Sequence, residues 1–156
     1  MKKINWKILI SSLLIVYLIA FLGSLFTSSS VNSSWYQEIK PEITPPNLVF
    51  PVVWNILFFL IALSLYFSWI NAKTKKDKKR IILVYCANLI LNLYWSILYF
   101  GLHNPILAFY EIILFWFSII AMILITYKIN KTASYLLVPY LLWVSFAIIL
   151  NYMSAF

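Results

Sequence analysis

Apolar residues gather in five long runs separated by short polar stretches, with no alternation of period two. The runs cover 6–26, 46–70, 81–101, 105–127 and 134–153. A bilayer core of ~30 Å takes about 20 residues of α-helix, so each run is long enough to cross. Outer-membrane barrels use alternating strands of about 10 residues and many tight turns, whereas this chain has two glycines. Helices satisfy every backbone polar group in lipid without help from a neighbour. The pattern therefore predicts an all-α membrane protein, a five-transmembrane-helix bundle forming one domain over 1–156.

The connections refine this picture. Residues 27–45 form a long polar first loop holding Trp35 and Tyr36. Pro46 is expected in the first turn of the second helix, where a missing N–H costs nothing, and Pro51 is expected to tilt or kink that start. A basic run, Lys73 to Arg80, leads into the third helix. Only Leu102, His103 and Asn104 separate the third and fourth runs, which makes those helices antiparallel neighbours. Lys2, Lys3 and Lys7, the first apolar run and Ser28–Ser30 also suit a secretory signal peptide. The run has the length of a full span, however, and the charge pattern needs it, so it reads as a retained helix.

Composition agrees: 64% of residues are hydrophobic and 10% charged, too little polar surface for a soluble domain. The net charge of +8 raises the question of nucleic acid, but the basic residues sit between apolar runs rather than on one folded surface. With five spans, eleven basic residues (Lys2, Lys3, Lys7, Lys73, Lys75, Lys76, Lys78, Lys79, Arg80, Lys128 and Lys131) fall on one side and Lys40 on the other. The positive-inside rule then makes the amino terminus cytoplasmic. The basic run sets topology, and anionic lipid head groups are its alternative use. One cysteine, Cys86, and one histidine, His103, leave no disulfide within the chain and no Cys- or His-based metal set. His103 reads as a loop residue.

Polar residues inside the runs carry the remaining chemistry. Asn88 and Asn92 are four apart and share a helix face with Trp95 and Tyr99, either as helix–helix glue or as amides facing a ligand. Glu111 is the one carboxylate well inside a span, and a structural hydrogen-bonding role is expected for it. Trp54 shares a face with Phe58, and Trp143 with Ala147, Leu150 and Asn151. Large rings beside small residues either pack helices or line a flat apolar pocket.

Read in order, these motifs resemble the translocator protein (TspO/MBR) family, also called tryptophan-rich sensory proteins or peripheral-type benzodiazepine receptors. The resemblance rests on Trp35-Tyr36, Lys40-Pro41, Pro45-Pro46, Val53-Trp54, Leu57 and Trp69, then Asn88, Asn92, Trp95, Phe100 and Gly101. Ala108 and Glu111 follow, and the fifth run supplies Leu137, Pro139, Tyr140, Trp143, Phe146, Ala147, Leu150, Asn151 and Tyr152. Ile43 and Phe58 stand where the family usually has Trp and Tyr, and Leu48 and Leu107 where animal members often have Trp. No basic residue follows Tyr152, so the animal cholesterol motif is missing, which argues against cholesterol as a partner. That absence, with the isoleucine- and lysine-rich composition, suggests a bacterial cell membrane.

The resemblance implies a five-helix bundle, often a homodimer, that binds porphyrins (protoporphyrin IX or haem) and benzodiazepine-site ligands under the first loop. It requires no cofactor. Its pocket would take Trp54, Asn88, Asn92, Trp143, Phe146, Ala147 and Leu150, beneath a lid containing Trp35, Pro45 and Pro46. Lys40 would meet a propionate. The resemblance also implies an alternative, light-driven porphyrin breakdown with Trp54 and Trp143 as redox-active residues, and no general acid or base. A transporter is a third reading, weakened by the lack of an internal repeat and of a midplane charge pathway. A bundle that serves only as an interaction module is the fallback.

Overall fold

A computed structural model describes residues 4–156 and shows eight helical elements and no strand among them. The first, α1 (Trp6–Ser30), starts under an Asn5 cap whose Oδ1 accepts from Ile8 N. It runs past the expected end at residue 26. Its terminal hydroxyls bond back to their own helix, Thr27 Oγ1 to the Gly23 carbonyl and Ser29 Oγ to the Phe26 carbonyl (3.0 Å), so they do not end it.

The first loop is also more ordered than its polarity suggests. It contains a short helix, α2 (Ser34–Ile39), capped by Ser33 Oγ, which accepts from Tyr36 N at 3.2 Å. Helix α3 (Val49–Asn71) starts three residues later than Pro46. The prolines at 45 and 46 hold Thr44 and Pro45 in extended backbone, which delays the helix. Pro51 thus falls in the first turn, where its N–H would have no partner anyway, and it opens the helix rather than kinking it.

The basic run is helical too. Thr74 Oγ1 accepts from Asp77 N while Asp77 Oδ2 accepts from Thr74 N, a capping box that starts α4 (Lys75–Ser96) six residues before Ile81. Asp77 also offsets the positive end of the helix dipole, which the surrounding lysines oppose. Helix α4 continues as a π-helical segment (Ile97–Gly101), closed by Leu102 N donating to the Ile97 carbonyl at 2.8 Å. Gly101 allows α1 close: a Cβ there would lie 3.0 Å from Phe26 Cδ1. Helix α5 (Pro105–Tyr127) has the bounds expected of the fourth run.

The fifth run is not one helix. It divides into α6 (Lys131–Tyr135) and α7 (Val138–Ala155). Pro139 has no N–H to donate to the turn before it, and its ring crowds that turn, so the break falls at Leu136–Leu137.

Helix α1 packs against α3 and α4, and α5 against α4 and α7, while α6 bridges α3 and α5. The ring closes where α3 meets α7 through aromatic pairs, Phe50–Trp143 at 5.8 Å and Trp54–Tyr140 at 6.2 Å. A large buried cluster including Ile61, Tyr85, Phe115 and Tyr140 fills most of the interior. A smaller one of Tyr36, Leu98, Tyr99, Phe100 and Ala108 lies at the α2 end. Outward positions are apolar, Leu14, Leu18, Leu83, Leu114 and Leu142 among them. Five segments are long and apolar enough to span: Trp6–Ser30, Val49–Asn71, Lys75–Gly101, Pro105–Tyr127 and Lys131–Ala155. The protein is a multi-pass integral membrane protein.

Candidate functional site

Between α1, α3, α4 and α7, below α2 and the first loop, lies a cavity of about 510 Å³. Helix α5 stands behind α4 and α7 and does not reach it. One wall is aromatic. Trp54 stacks on Phe58 with centroids 5.4 Å apart, and Trp143, edge-on to Phe50, lines the cavity from α7. Ala147 and Leu150 continue the α7 wall along the same stripe.

Another part of the lining, shared by α4 and α7, is polar but already bonded. Trp95 Nε1 donates to Asn151 Oδ1 at 2.9 Å, and Asn151 Nδ2 donates to the Pro105 carbonyl at 2.8 Å. Tyr99 Oη donates to Ser154 Oγ at 2.9 Å. Asn92 Nδ2 donates to Tyr140 Oη at 3.4 Å, and its Oδ1 has no protein partner among the described residues. The site therefore offers both stacking surface and amide and hydroxyl groups.

The roof is built from the first loop. Tyr36, Pro41, Thr44 and Asn47 line it, and Lys40 Nζ donates to Asn47 Oδ1 at 3.2 Å. Burial holds the Tyr36 phenol above its ordinary pKa, so it stays neutral. Thr44 Oγ1 is buried with no hydrogen-bond partner. Trp35 pins the roof to the α4–α5 turn by stacking on His103, centroids 4.2 Å apart, and by meeting the edge of Tyr99 at 5.9 Å. His103 has the left-handed φ of 50°, so this loop residue sits in a conformation that its neighbours must hold.

The expected site residues separate into two groups. Trp54, Asn92, Trp143, Ala147 and Leu150 line the cavity. Asn88, Phe146, Trp35, Pro45 and Pro46 do not. Asn88 is fully buried one turn below the floor, where it accepts from Tyr140 Oη at 3.1 Å and donates to Ser118 Oγ at 2.8 Å. It is interhelical glue, joining α4 to α5 through Ser118 and to α7 through Tyr140. Phe146 packs against Trp143, at 5.8 Å, rather than into the space. Pro45 and Pro46 shape the loop, and their neighbours Thr44 and Asn47 provide the lining instead.

Glu111 corrects another expectation. Only 6% exposed, it has no hydrogen-bond partner for either carboxylate oxygen among the described residues. The reading from sequence also left α1 out of the site. Tyr17, Ala20, Ser24 and Thr27 line the cavity, and their spacing of three and four on an apolar helix was the available signal.

Fold and site together define a five-span membrane protein with a roofed, tryptophan-walled cavity. Over residues 12–156 the chain matches the TspO/MBR family. It is 42% identical over 145 residues to the tryptophan-rich protein TspO of Archaeoglobus fulgidus, covering 92% of each chain. It is 38% identical to the protein of the same name from Chlorobaculum tepidum, covering 86% of this chain and 85% of the relative. The human translocator protein is 30% identical over 134 residues, 85% of this chain and 79% of its own length. This chain belongs to the TspO/MBR family.

Proposed function

We propose that the protein is a membrane receptor or sensor that binds tetrapyrroles, and ligands of the benzodiazepine-site type, in the cavity beneath α2. The observation that carries this reading is the presence of two indoles, Trp54 and Trp143, with the Asn92 amide in the lining of one cavity of about 510 Å³. That volume falls within the range of roughly 300–1,000 Å³ usual for small-molecule sites. A flat macrocycle stacks on indoles, and its polar edge takes up amide and hydroxyl groups. Lys40, one bond behind the cavity-lining Asn47, is the cation nearest a propionate in this arrangement. The amino terminus is cytoplasmic in this reading and the roof faces the outer side, following the basic residues at the opposite end of the bundle. A homodimer is the expected assembly.

A dark titration of the detergent-solubilised protein with protoporphyrin IX, followed by tryptophan quenching, tests the reading. Saturable micromolar binding, weakened in Trp54→Phe, Trp143→Phe and Asn92→Ala, is expected. Binding indifferent to all three changes, or none at all, removes the assigned function.

A second reading, light-driven breakdown of the bound porphyrin, draws support from a chain of aromatic rings. Trp95 stacks on Tyr99 at 5.2 Å, and Tyr99 meets Trp35, which stacks on His103 at the surface. Illumination of the same samples separates the two: product formation that disappears in Trp143→Phe favours breakdown over binding alone.

A further inference from the structure

The cavity is shielded above and unshielded at one side. None of its roof residues is exposed: Tyr36 is buried, and Pro41, Thr44 and Asn47 are partly so. On the flank between α1 and α3 the opposite holds. Phe21, Ser24 and Ser28 of α1 and Pro51 and Asn55 of α3 line the cavity and are exposed. A residue that does both stands at an opening. All five lie in the halves of α1 and α3 nearest the roof, so the opening faces one leaflet of the bilayer rather than water.

The chemistry of this edge supports the same conclusion. Much of the exposed side of α1 is apolar, as at Leu14 and Leu18, 66% and 59% exposed, though Ser11 and Ser29 are exposed as well. At the slit, Ser24, Ser28 and Asn55 place three polar groups along one edge of the cavity. Each lip is satisfied within its own helix, Ser24 Oγ donating to the Phe21 carbonyl (2.7 Å) and Asn55 Nδ2 to the Pro51 carbonyl (2.8 Å). Among the described residues, one side-chain hydrogen bond joins α1 to α3 at the slit, from Tyr17 Oη to the Asn55 carbonyl at 3.2 Å, and it forms the sill; none of them bonds the lips together above it.

We infer that the cavity takes its ligand sideways out of the lipid, through the slit between α1 and α3. The ligand class is then an amphiphile already dissolved in the roof-side leaflet, with a flat apolar body and a polar edge that slides along Ser24, Ser28 and Asn55. The inference rests on the reading that the cavity holds a ligand, and adds the route and the phase from which it comes.

The test uses the full chain in phosphatidylcholine vesicles, with protoporphyrin IX dissolved beforehand in the same vesicles and tryptophan quenching followed by rapid mixing. A Ser24→Phe/Ser28→Phe variant plugs the slit, and Tyr17→Phe removes the sill bond. The plug should slow association and dissociation together, each by about tenfold, since a gate acts on both directions. Tyr17→Phe should speed association. Dissociation separates a plug from damage, because a site that has merely lost affinity releases its ligand faster. Saturable binding with rates that the plug leaves unchanged, and that rise when Trp35→Ala loosens the roof, would overturn the lateral route alone. Absence of saturable binding to the unaltered protein would instead overturn the assigned function, and this route with it.

Discussion

Two seams wall the cavity, and they are built differently. Between α4 and α7, side-chain hydrogen bonds recur at successive turns: Tyr140 Oη to Asn88, Asn92 to Tyr140, Trp95 to Asn151, and Tyr99 to Ser154. Between α1 and α3, the described residues show two, Asn5 N to Tyr66 Oη and Tyr17 Oη to the Asn55 carbonyl. In lipid, water does not compete for polar groups, so each interhelical bond resists sliding and separation as well as adding stability. One seam therefore holds Trp143 relative to Trp95 through polar bonds, while the other relies on close van der Waals packing. A binding site with one bonded and one packed wall can keep its geometry and still admit a bulky guest.

Substitutions can break or sharpen this contrast. Asn151 accepts from Trp95 and donates to the Pro105 carbonyl, and is 1% exposed. Asn151→Ala should have the largest effect, a loss of about 2–3 kcal/mol in detergent unfolding, because two buried polar groups lose their partner. A loss no greater than that of a single bond would mean that the α4–α7 seam is not held as described.

Glu111, on α5 outside both seams, makes no side-chain bond among the described residues. With no partner for either oxygen, it should be dispensable for folding, and Glu111→Met should stabilise the bundle by about 1–2 kcal/mol. A lower unfolding midpoint in that variant would show that the carboxyl group has a partner in the membrane. Tyr99→Phe removes only the bond to Ser154 and should destabilise by about 0.6 kcal/mol, the usual worth of such a bond. Tyr17→Phe should be smallest, below about 0.5 kcal/mol, because its bond is exposed at the bundle surface. If thermal melts placed Tyr17→Phe above Tyr99→Phe, the two seams would have to exchange roles.

Much of the bundle was legible in the sequence, and less of the site. Five runs of the right length gave the spans, and Pro105 behind the Asn104 cap gave one helix to the residue. Other boundaries moved where local chemistry outweighed hydropathy. A Thr74–Asp77 capping box drew six residues of the basic run into α4, and Ser33 nucleated a helix inside a stretch read as loop. Both signals were present as capping residues at fixed offsets. Pro139 marked the break before α7, and its place inside an apolar run concealed it.

The site was harder because it depends on depth as well as face. Asn88 and Asn92 share a helix face, yet only Asn92 reaches the cavity, while Asn88, one turn deeper, is taken up by Ser118 of α5 and Tyr140 of α7. Periodicity gives the angle of a side chain around its helix. It does not give the height at which the space between the helices ends. The contribution of α1 went unread for a similar reason, since Ala20, Ser24 and Thr27 acquire meaning only once α3 and α4 stand opposite.

The π-helical segment at Ile97–Gly101 bears on how this architecture tolerates insertions and deletions. A π turn is an α-helix with one residue too many, the surplus absorbed as a bulge instead of pushing the rest of the chain out of phase. Removing one residue there would tighten the turn to α geometry and swing everything beyond it by about 100°. His103 would then leave the Trp35 ring on which it stacks, and the roof would lose its fastening. A one-residue deletion in this segment, which itself lends Tyr99 and Phe100 to the lining, would thereby unlatch the cover of the site, whereas the same deletion in the loop between α5 and α6 leaves that phase relation untouched.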